Sequence, residues 1–471
     1  MNASDLKDRT VLVMGLGRFG GGVDVARFAA GAGARVVVTD AATEEKLVDS
    51  LEQLRELPGI ELKLGGHDPD DFMAADMVVV NPAVRGDHPL LEIARQHQKT
   101  ITSQIGLFFQ MCPARIVGIT GANGKSTTAT LTAHVLRRAP AMVSKSRHPR
   151  AALEAASGRV WLSGNIGNRP LLGTLAEVAP SDLVVLELSS FQLEQLAEIE
   201  MAPQISLLTN LTPNHLDRHG TFEAYCAAKE NIFRLQRRDA QSPAVSIFNA
   251  EDLIASEWFE KYRVQSGRLC MKYSADDVPA NVRAAFPLPG RANLSNLAGA
   301  LAVARYFGIQ NEAIIRVLPD VKALPHRLEL VATIDGVRWY NDSIATTPQS
   351  AVVALEAFAE PKILIAGGYD KQLPFDELGE KIAAQAKAVV LIGQAASKIA
   401  DAIQAGGPSG PQVPIAFAKS LDEAVQIARR QAVEGDVVLL SPACASYDMF
   451  DNFQQRGQQF AELVGQLGRQ L

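Results

Sequence analysis

The 471-residue chain holds only four cysteines, Cys112, Cys226, Cys270 and Cys444, far apart and without a C-x-x-C pair. That excludes a disulfide framework and a zinc ribbon, and suits a reducing cytosol. No apolar run approaches the roughly 18 residues that a membrane span needs, and no repeat or low-complexity segment interrupts the chain. Met1 to Thr10 are polar and lack the apolar core of a signal peptide, so a cytoplasmic location without a membrane partner is expected. An excess of one charge is small as well, with 46 Lys and Arg against 52 Asp and Glu. The net charge of −6 argues against a general nucleic-acid surface. What remains is a globular composition, 47% hydrophobic and 21% charged, long enough for about three domains.

Strand and helix patterns alternate from the start. Thr10-Val-Leu-Val-Met14 is a buried-strand run leading into Gly15-Leu-Gly17-Arg18-Phe19-Gly20. A helix follows, then the strand Arg35 to Asp40, and later Asp76 to Val80, stopped by Asn81-Pro82. This reads as a small Rossmann-like unit with a G-x-G-x-x-G turn and an acid, Asp40, twenty residues past Gly20. Taken alone it suggests NAD binding. The fingerprint, however, says only that a phosphate rests on a helix N-terminus.

A second glycine turn lies a hundred residues on. Ile116 to Thr120 reads as a strand, Gly121-Ala-Asn123-Gly124-Lys125-Ser126-Thr127 as a turn, and Thr130 to Leu136 as a helix. Position 119 is Ile, so the pattern is T-G-x-N-G-K-S and not the strict G-x-x-x-x-G-K-S/T. The physics is the same: backbone N–H groups face oxyanions, Lys125 neutralises the β/γ-phosphates, and the Ser126 or Thr127 hydroxyl reaches Mg²⁺. Glu187 ends the apolar run Leu183 to Leu186, where such proteins place an acid for Mg²⁺. Asn214-His215-Leu-Asp217-Arg-His219 follows the strand Ile205 to Asn210 and suggests a second metal position or a phosphate contact. Lys229, inside the helical pattern Ala224 to Phe233, reads on the residues alone as a plain surface lysine. Residues 140–160 read as an exposed loop, and Arg291 to Phe307 as a helix. Past Leu324, three short apolar strands (Pro361 to Gly368, Ala388 to Gly393, Gly435 to Ser441) alternate with helices, again a parallel-sheet pattern.

These segments together resemble the Mur ligase family of ATP-dependent amide-forming enzymes of peptidoglycan precursor synthesis. The resemblance covers nearly the whole chain. It rests on T-G-A-N-G-K-S (120–126), E-L-S-S-F-Q (187–192), N-H-L-D-R-H (214–219), L-P-H-R-L-E (324–329), N-D-S (341–343) and S-P-A-C-A-S-Y-D-M-F (441–450). It implies an α/β fold of three domains: a Rossmann-like UDP-substrate domain (1–103), a central P-loop-type ATP domain with a mostly parallel sheet (104–323), and a Rossmann-like amino-acid domain (324–471). The implied substrates are UDP-N-acetylmuramoyl-L-alanine, D-glutamate and ATP with two Mg²⁺, and a monomer is expected.

Residue by residue, the resemblance implies a UDP-substrate held by Gly15, Gly17, Arg18, Phe19, Gly20, Asp40, Asn81, Asn165 and His215. It implies ATP against Gly121, Asn123, Gly124, Lys125, Ser126 and Thr127, with Asn293 and Asn296 by the base or ribose, Arg327 at the γ-phosphate and Asp342 at the ribose. Ser126 and Glu187 would hold one Mg²⁺, and His215 the other together with a carbamylated Lys229. Thr346, Lys371, Ser446, Tyr447 and Phe453 would line the glutamate site.

Two departures stand out. The family's N-D-S-K is here Asn341-Asp342-Ser343-Ile344, which removes a cation beside the incoming amino acid, and Asn81-Pro82-Ala83 replaces Ser-Pro-Gly. A subgroup of these ligases that resembles the first pattern adds L-glutamate, so L-glutamate is the alternative amino acid. A nucleotide-binding dehydrogenase, motivated by Gly15 to Gly20 and Asp40, is the rival from another class. A catalytically silent nucleotide-binding protein is a third reading.

Overall fold

The computed structural model describes residues 1–18, 20–57, 59–142, 148, 157–164, 170–239, 242–406 and 413–468. Phe19, Asn165 and most of the 140–160 loop lie outside them. The chain divides into two compact units: residues 1–277 with 295–317, and residues 278–294 with 318–471.

The first unit holds two parallel sheets. In one, β1 (Thr10–Met14), β2 (Arg35–Asp40), β3 (Ile60–Leu64), β4 (Met77–Val80) and β5 (Thr100–Ser103) take the order β3-β2-β1-β4-β5. In the other, β6 (Arg115–Thr120), β7 (Val160–Gly164), β8 (Leu183–Glu187), β9 (Ile205–Leu208), β10 (Ala244–Asn249) and β11 (Arg268–Tyr273) take the order β11-β10-β9-β6-β8-β7. The central strands β1, β4, β6, β8, β9 and β10 are apolar on both faces because helices cover both, as an all-parallel sheet requires. The buried carboxylate of Asp24, on helix Gly21–Gly31, ties the two layers together. It accepts from the backbone N–H of Leu172 (2.8 Å) and Gly173 (3.2 Å) and from Gln104 Nε2 (2.6 Å).

The second unit carries β12 (Glu329–Ile334), β13 (Val337–Asn341), β14 (Lys362–Gly367), β15 (Ala388–Ile392), β16 (Ile415–Phe417) and β17 (Val437–Leu440), in the order β12-β13-β17-β14-β15-β16. The expected parallel pattern holds except at one edge, where β12 runs antiparallel to β13. Asp335 and Gly336, both at positive φ (48° and 73°), join them in two residues. That is the backbone a tight hairpin turn demands, and Asp-Gly is its commonest chemistry.

Candidate active site

In the sheet order β9-β6-β8, the strand that feeds the second glycine turn lies between the strands that deliver Glu187 and Asn210. Ile119 pairs with Glu187 on one side and Thr120 with Leu208 on the other. The β6–β8–β9 carboxyl ends thus form a crevice of the kind in which open α/β sheets bind ligands.

The turn is built for close approach. Gly121 has φ +147°, and a Cβ there would sit 1.9 Å from Thr209 Oγ1. Gly124 is left-handed (φ +80°), and a Cβ there would sit 2.2 Å from Asn296 Oδ1. Asn210 pins the loop, its carbonyl accepting from Ala122 N (2.8 Å) and its Oδ1 from Asn123 N (2.9 Å). Helix Lys125–Arg138 follows, and its N-terminus presents backbone N–H groups and a positive dipole end. Lys125 Nζ donates to Ala122 O (2.8 Å), so its stem folds over the turn. Ser126 is half-buried, and Thr127 is buried with a hydroxyl that has no protein partner.

Glu187 is buried at the end of β8, and its Oε2 also has no protein partner. A desolvated carboxylate oxygen is costly to leave unsatisfied. This oxygen and the nearby hydroxyls of the turn are hard donors of the type Mg²⁺ takes along with phosphate oxygens and water. The residues present therefore fit the metal. Among the described residues no group of three or more His, Cys, Asp or Glu side chains forms a cage by itself.

Lys229 corrects the reading of a surface lysine: only 1% of it is exposed. Its helix, Phe222–Arg234, buries Tyr225, Ile232 and Phe233, and Lys229 stands on that same face at i+4 from Tyr225. Its Nζ donates to Thr120 Oγ1 (3.2 Å) and lies 4.9 Å from the Tyr225 ring centroid. Burial drives its pKa well below the usual lysine range. The nearby Lys125 charge acts the same way and Glu187 opposes it. His215 has a left-handed backbone (φ 53°) and heads the short helix Leu216–His219. Its pKa is lowered by burial; Asp217 pulls it back up, and the Lys125 and Lys229 charges push it further down. An imidazole and an amine both shifted toward their neutral forms, and a carboxyl oxygen without a protein partner, thus share one electrostatic neighbourhood around the turn.

The first glycine turn is equally built. Gly15, Gly17 and Gly20 all have positive φ (89°, 65° and 81°). Two further residues expected to hold the UDP-substrate are bonded into it: Asp40 Oδ2 accepts from Gly17 N (3.1 Å), and Asn81 Nδ2 donates to Gly15 O (3.1 Å). Arg18 lies within the same turn.

Asn296 accepts from Thr128 Oγ1 (3.2 Å), and Asn293, which belongs to the second unit, donates to Pro289 O (2.8 Å). In the second unit Arg327 lies between two left-handed residues, His326 (φ 62°) and Leu328 (φ 42°). Asp342 is buried, accepting from Ser441 Oγ (2.8 Å) and Leu328 N (3.1 Å). Ser446 is buried, Phe453 and Thr346 are half-buried, and Lys371 and Tyr447 are exposed.

Arg456 was missed by sequence reasoning. Fully buried on helix Phe453–Leu467, it donates to Ser343 Oγ and O (2.9 Å each), Cys444 O (3.1 Å) and Ala445 O (3.3 Å). It clamps the N-D-S segment to the turn that carries Ser446, and burial lowers its pKa to about 10.

Burial raises the Asp342 pKa to about 7 against the Ser441 and Leu328 hydrogen bonds. The folded state therefore holds a proton that the unfolded state releases above its ordinary carboxyl pKa. Stability contributed at this site is present at low pH and lost as pH rises from the unfolded value toward about 7. Denaturant unfolding of the second unit should weaken over that window by a few kcal/mol, at about 1.4 kcal/mol per pKa unit. Asp342→Asn should flatten the profile, and a profile as steep as wild type would mean that the loss arises elsewhere.

Both the fold and the site define an ATP-dependent amide-forming ligase, and the chain belongs to the Mur ligase family. Family models match along the chain: Mur ligase MurD-like N-terminal domain at residues 9–103, Mur ligase middle domain at 119–286, and Mur ligase glutamate ligase domain at 326–444. Among curated relatives, the UDP-N-acetylmuramoylalanine–D-glutamate ligase of Roseiflexus sp. (strain RS-1) is 40% identical over 98% of this chain and 99% of its own length. The enzyme of that name from Acidobacterium capsulatum is 38% identical over 98% and 97%. Solved structures share the fold at low identity. A MurF ligase from Thermotoga maritima in complex with ADP aligns at TM-score 0.55 and 16% identity, covering 99% of this chain and 97% of that one. MurF from Acinetobacter baumannii aligns at 0.56 and 15%, covering 99% and 92%. No helix among the described residues is long and apolar enough to cross a membrane.

Proposed function

We propose that this chain joins D-glutamate to UDP-N-acetylmuramoyl-L-alanine, with ATP converted to ADP and phosphate, in cytoplasmic synthesis of peptidoglycan precursors. The observation that carries the chemistry is the convergence, at the β6–β8–β9 carboxyl ends, of the Lys125 turn, the unsatisfied Glu187 oxygen and the buried Lys229 amine. A substrate carboxylate attacks the γ-phosphate and ADP leaves, forming an acyl phosphate. The glutamate amine then attacks the acyl carbon, and phosphate departs from the tetrahedral intermediate. Lys125 and the helix N-terminus behind it offset charge on the transferring phosphoryl group. Glu187 and Ser126 would hold one Mg²⁺, and His215 with a carbamylated Lys229 would hold a second; bound there, Mg²⁺ would supply charge neutralisation and Lewis acidity.

The same reading gives residues 1–103 the UDP-substrate, 104–323 the nucleotide and 324–471 the amino acid, received by Thr346, Lys371, Ser446, Tyr447 and Phe453. It also gives Arg327 and Asp342 nucleotide-binding roles.

Ile344 favours a second reading for stereochemistry. It is partly buried and presents an alkyl group where its relatives' motif has a cation, so a dicarboxylic amino acid loses one charge partner there. Phosphate release from ATP with UDP-N-acetylmuramoyl-L-alanine, run with D- and L-glutamate in parallel, is the test. Turnover with D-glutamate is expected. Turnover with L-glutamate alone would keep the ligase and overturn the stereochemistry, and silence with both would overturn the substrate assignment. Ile344→Lys should raise the D-to-L ratio of kcat/KM about tenfold, or ~1.4 kcal/mol. An unchanged ratio places the selectivity elsewhere.

A further inference from the structure

His219 closes the N-H-L-D-R-H segment, and nothing above gives it a role. Its side chain is 2% exposed and is held on every side. Nε2 lies 2.9 Å from Ser190 Oγ, and Nδ1 lies 3.3 Å from Glu194 Oε1. The ring stacks on Phe191 (centroids 5.4 Å apart, 18° between planes) and meets Tyr225 edge-on (5.4 Å, 70°).

Each neighbour leads to a different part of the site. Ser190, Phe191 and Glu194 share helix Ser190–Glu198, which begins three residues after Glu187. Tyr225 carries the Lys229 Nζ over its ring. Phe191 also touches His215 (5.1 Å) and lies beneath the Arg218 guanidinium (5.4 Å). One imidazole therefore joins the helix behind Glu187, the loop carrying His215 and the helix carrying Lys229.

The polar contacts also hold the ring in place: Nε2 shares a hydrogen bond with the Ser190 hydroxyl, and Nδ1 lies beside the Glu194 carboxyl group. The loop register is thereby tied to the helix behind Glu187, although residues 212–217 are themselves exposed. His215 sits in this exposed stretch with a left-handed backbone, which costs a non-glycine residue energy unless neighbours enforce it.

We propose that His219 is a positioning residue for the ligase reaction: it fixes the loop carrying His215 and the Tyr225–Lys229 face against the helix that follows Glu187. The inference rests on the assignment of His215 and Lys229 made under Proposed function. It assigns His219 no contact with substrate.

The test uses the full chain and two substitutions. His219→Phe keeps the ring contacts and removes both polar ones. Ser190→Ala removes only the hydroxyl that faces Nε2. We expect His219→Phe to lower kcat about thirtyfold with KM for ATP within about twofold, because the glycine turn is untouched. Ser190→Ala should lose about fivefold, and the double variant no more than His219→Phe alone, since both cut the same link. His219→Gln, which restores a polar group able to bond Ser190, should recover part of the loss. A merely structural histidine would lower the melting temperature and leave kcat per folded molecule at the wild-type value, which would overturn the proposal.

Hydrogen exchange of residues 210–219 gives a readout independent of turnover. His219→Phe should speed exchange there about tenfold and leave residues 125–138 unchanged. If the wild-type enzyme is silent with both glutamates, the substrate assignment falls by itself, and this exchange measurement decides on His219. Unchanged exchange at 210–219 would overturn its positioning role.

Discussion

Lys125→Ala is expected to remove ATP turnover, lowering kcat by at least ~10³-fold, or about 4 kcal/mol of transition-state stabilisation. The size follows from where the side chain stands. It is the first residue of helix Lys125–Arg138, its Nζ folds back to Ala122 O across the glycine turn, and its charge is felt at both His215 and Lys229. A fixed cation at a helix N-terminus, facing charge that grows on a transferring phosphoryl group, is worth far more than a surface ammonium in water. The fold should be indifferent to its loss. Gly124 sets the N-cap by backbone conformation alone, and Asn210 rather than Lys125 pins the loop. Thermal unfolding should therefore stay close to wild type while phosphate release disappears. Residual activity above a few percent would count against the phosphate-cradle role. A second consequence is measurable: without the neighbouring charge, the depressed Lys229 amine should titrate at higher pH.

The glycine turns were legible because their requirements are local. Gly121 and Gly124 are needed where a Cβ would strike Thr209 and Asn296, and a strand followed by G-K-S announces that geometry in the chain itself. The inner apolar strands were legible for the same reason: β2, β6, β8 and β15, in three different sheets, are almost continuous buried runs. The edge strands were not. β3 has no fully buried residue and resembles many loop segments, and β12 is held by its hairpin partner. The Asp335-Gly336 turn was nevertheless a readable hairpin signal.

Lys229 and Arg456 mark the other limit. Each is charged, lies in a polar-looking helix and is buried by elements distant in sequence. For Lys229 a clue existed, since it interrupts the apolar face defined by Tyr225, Ile232 and Phe233. For Arg456 nothing local signals burial, because its partners, three carbonyls and the Ser343 hydroxyl, lie 11 to 113 residues away.

Lys229→Ala is the second large effect. A lysine 1% exposed, whose amine hydrogen-bonds the Thr120 hydroxyl and is driven toward neutrality, is an expensive choice for structure alone. An unprotonated amine is, however, the form that adds to CO₂. The nitrogen lone pair forms the N–C bond, one proton is released, and the product carbamate carries a negative charge where the free amine carried none. That group would present two oxygens in the neighbourhood of the Glu187 oxygen that lacks a protein partner, and Lys125 would offset part of its charge. We expect kcat to fall at least ~100-fold, about 2.7 kcal/mol, with partial recovery on adding acetate, which can occupy the vacated volume as a carboxylate. Lys229→Met separates the two roles of the side chain. It keeps the packed stem without the amine, so it should hold the melting temperature near wild type and remain inactive. Full activity of Lys229→Ala without any added anion would take the lysine out of the chemistry. Activity in Lys229→Met together with a destabilised Lys229→Ala would show that the stem, and not the nitrogen, is what the site requires.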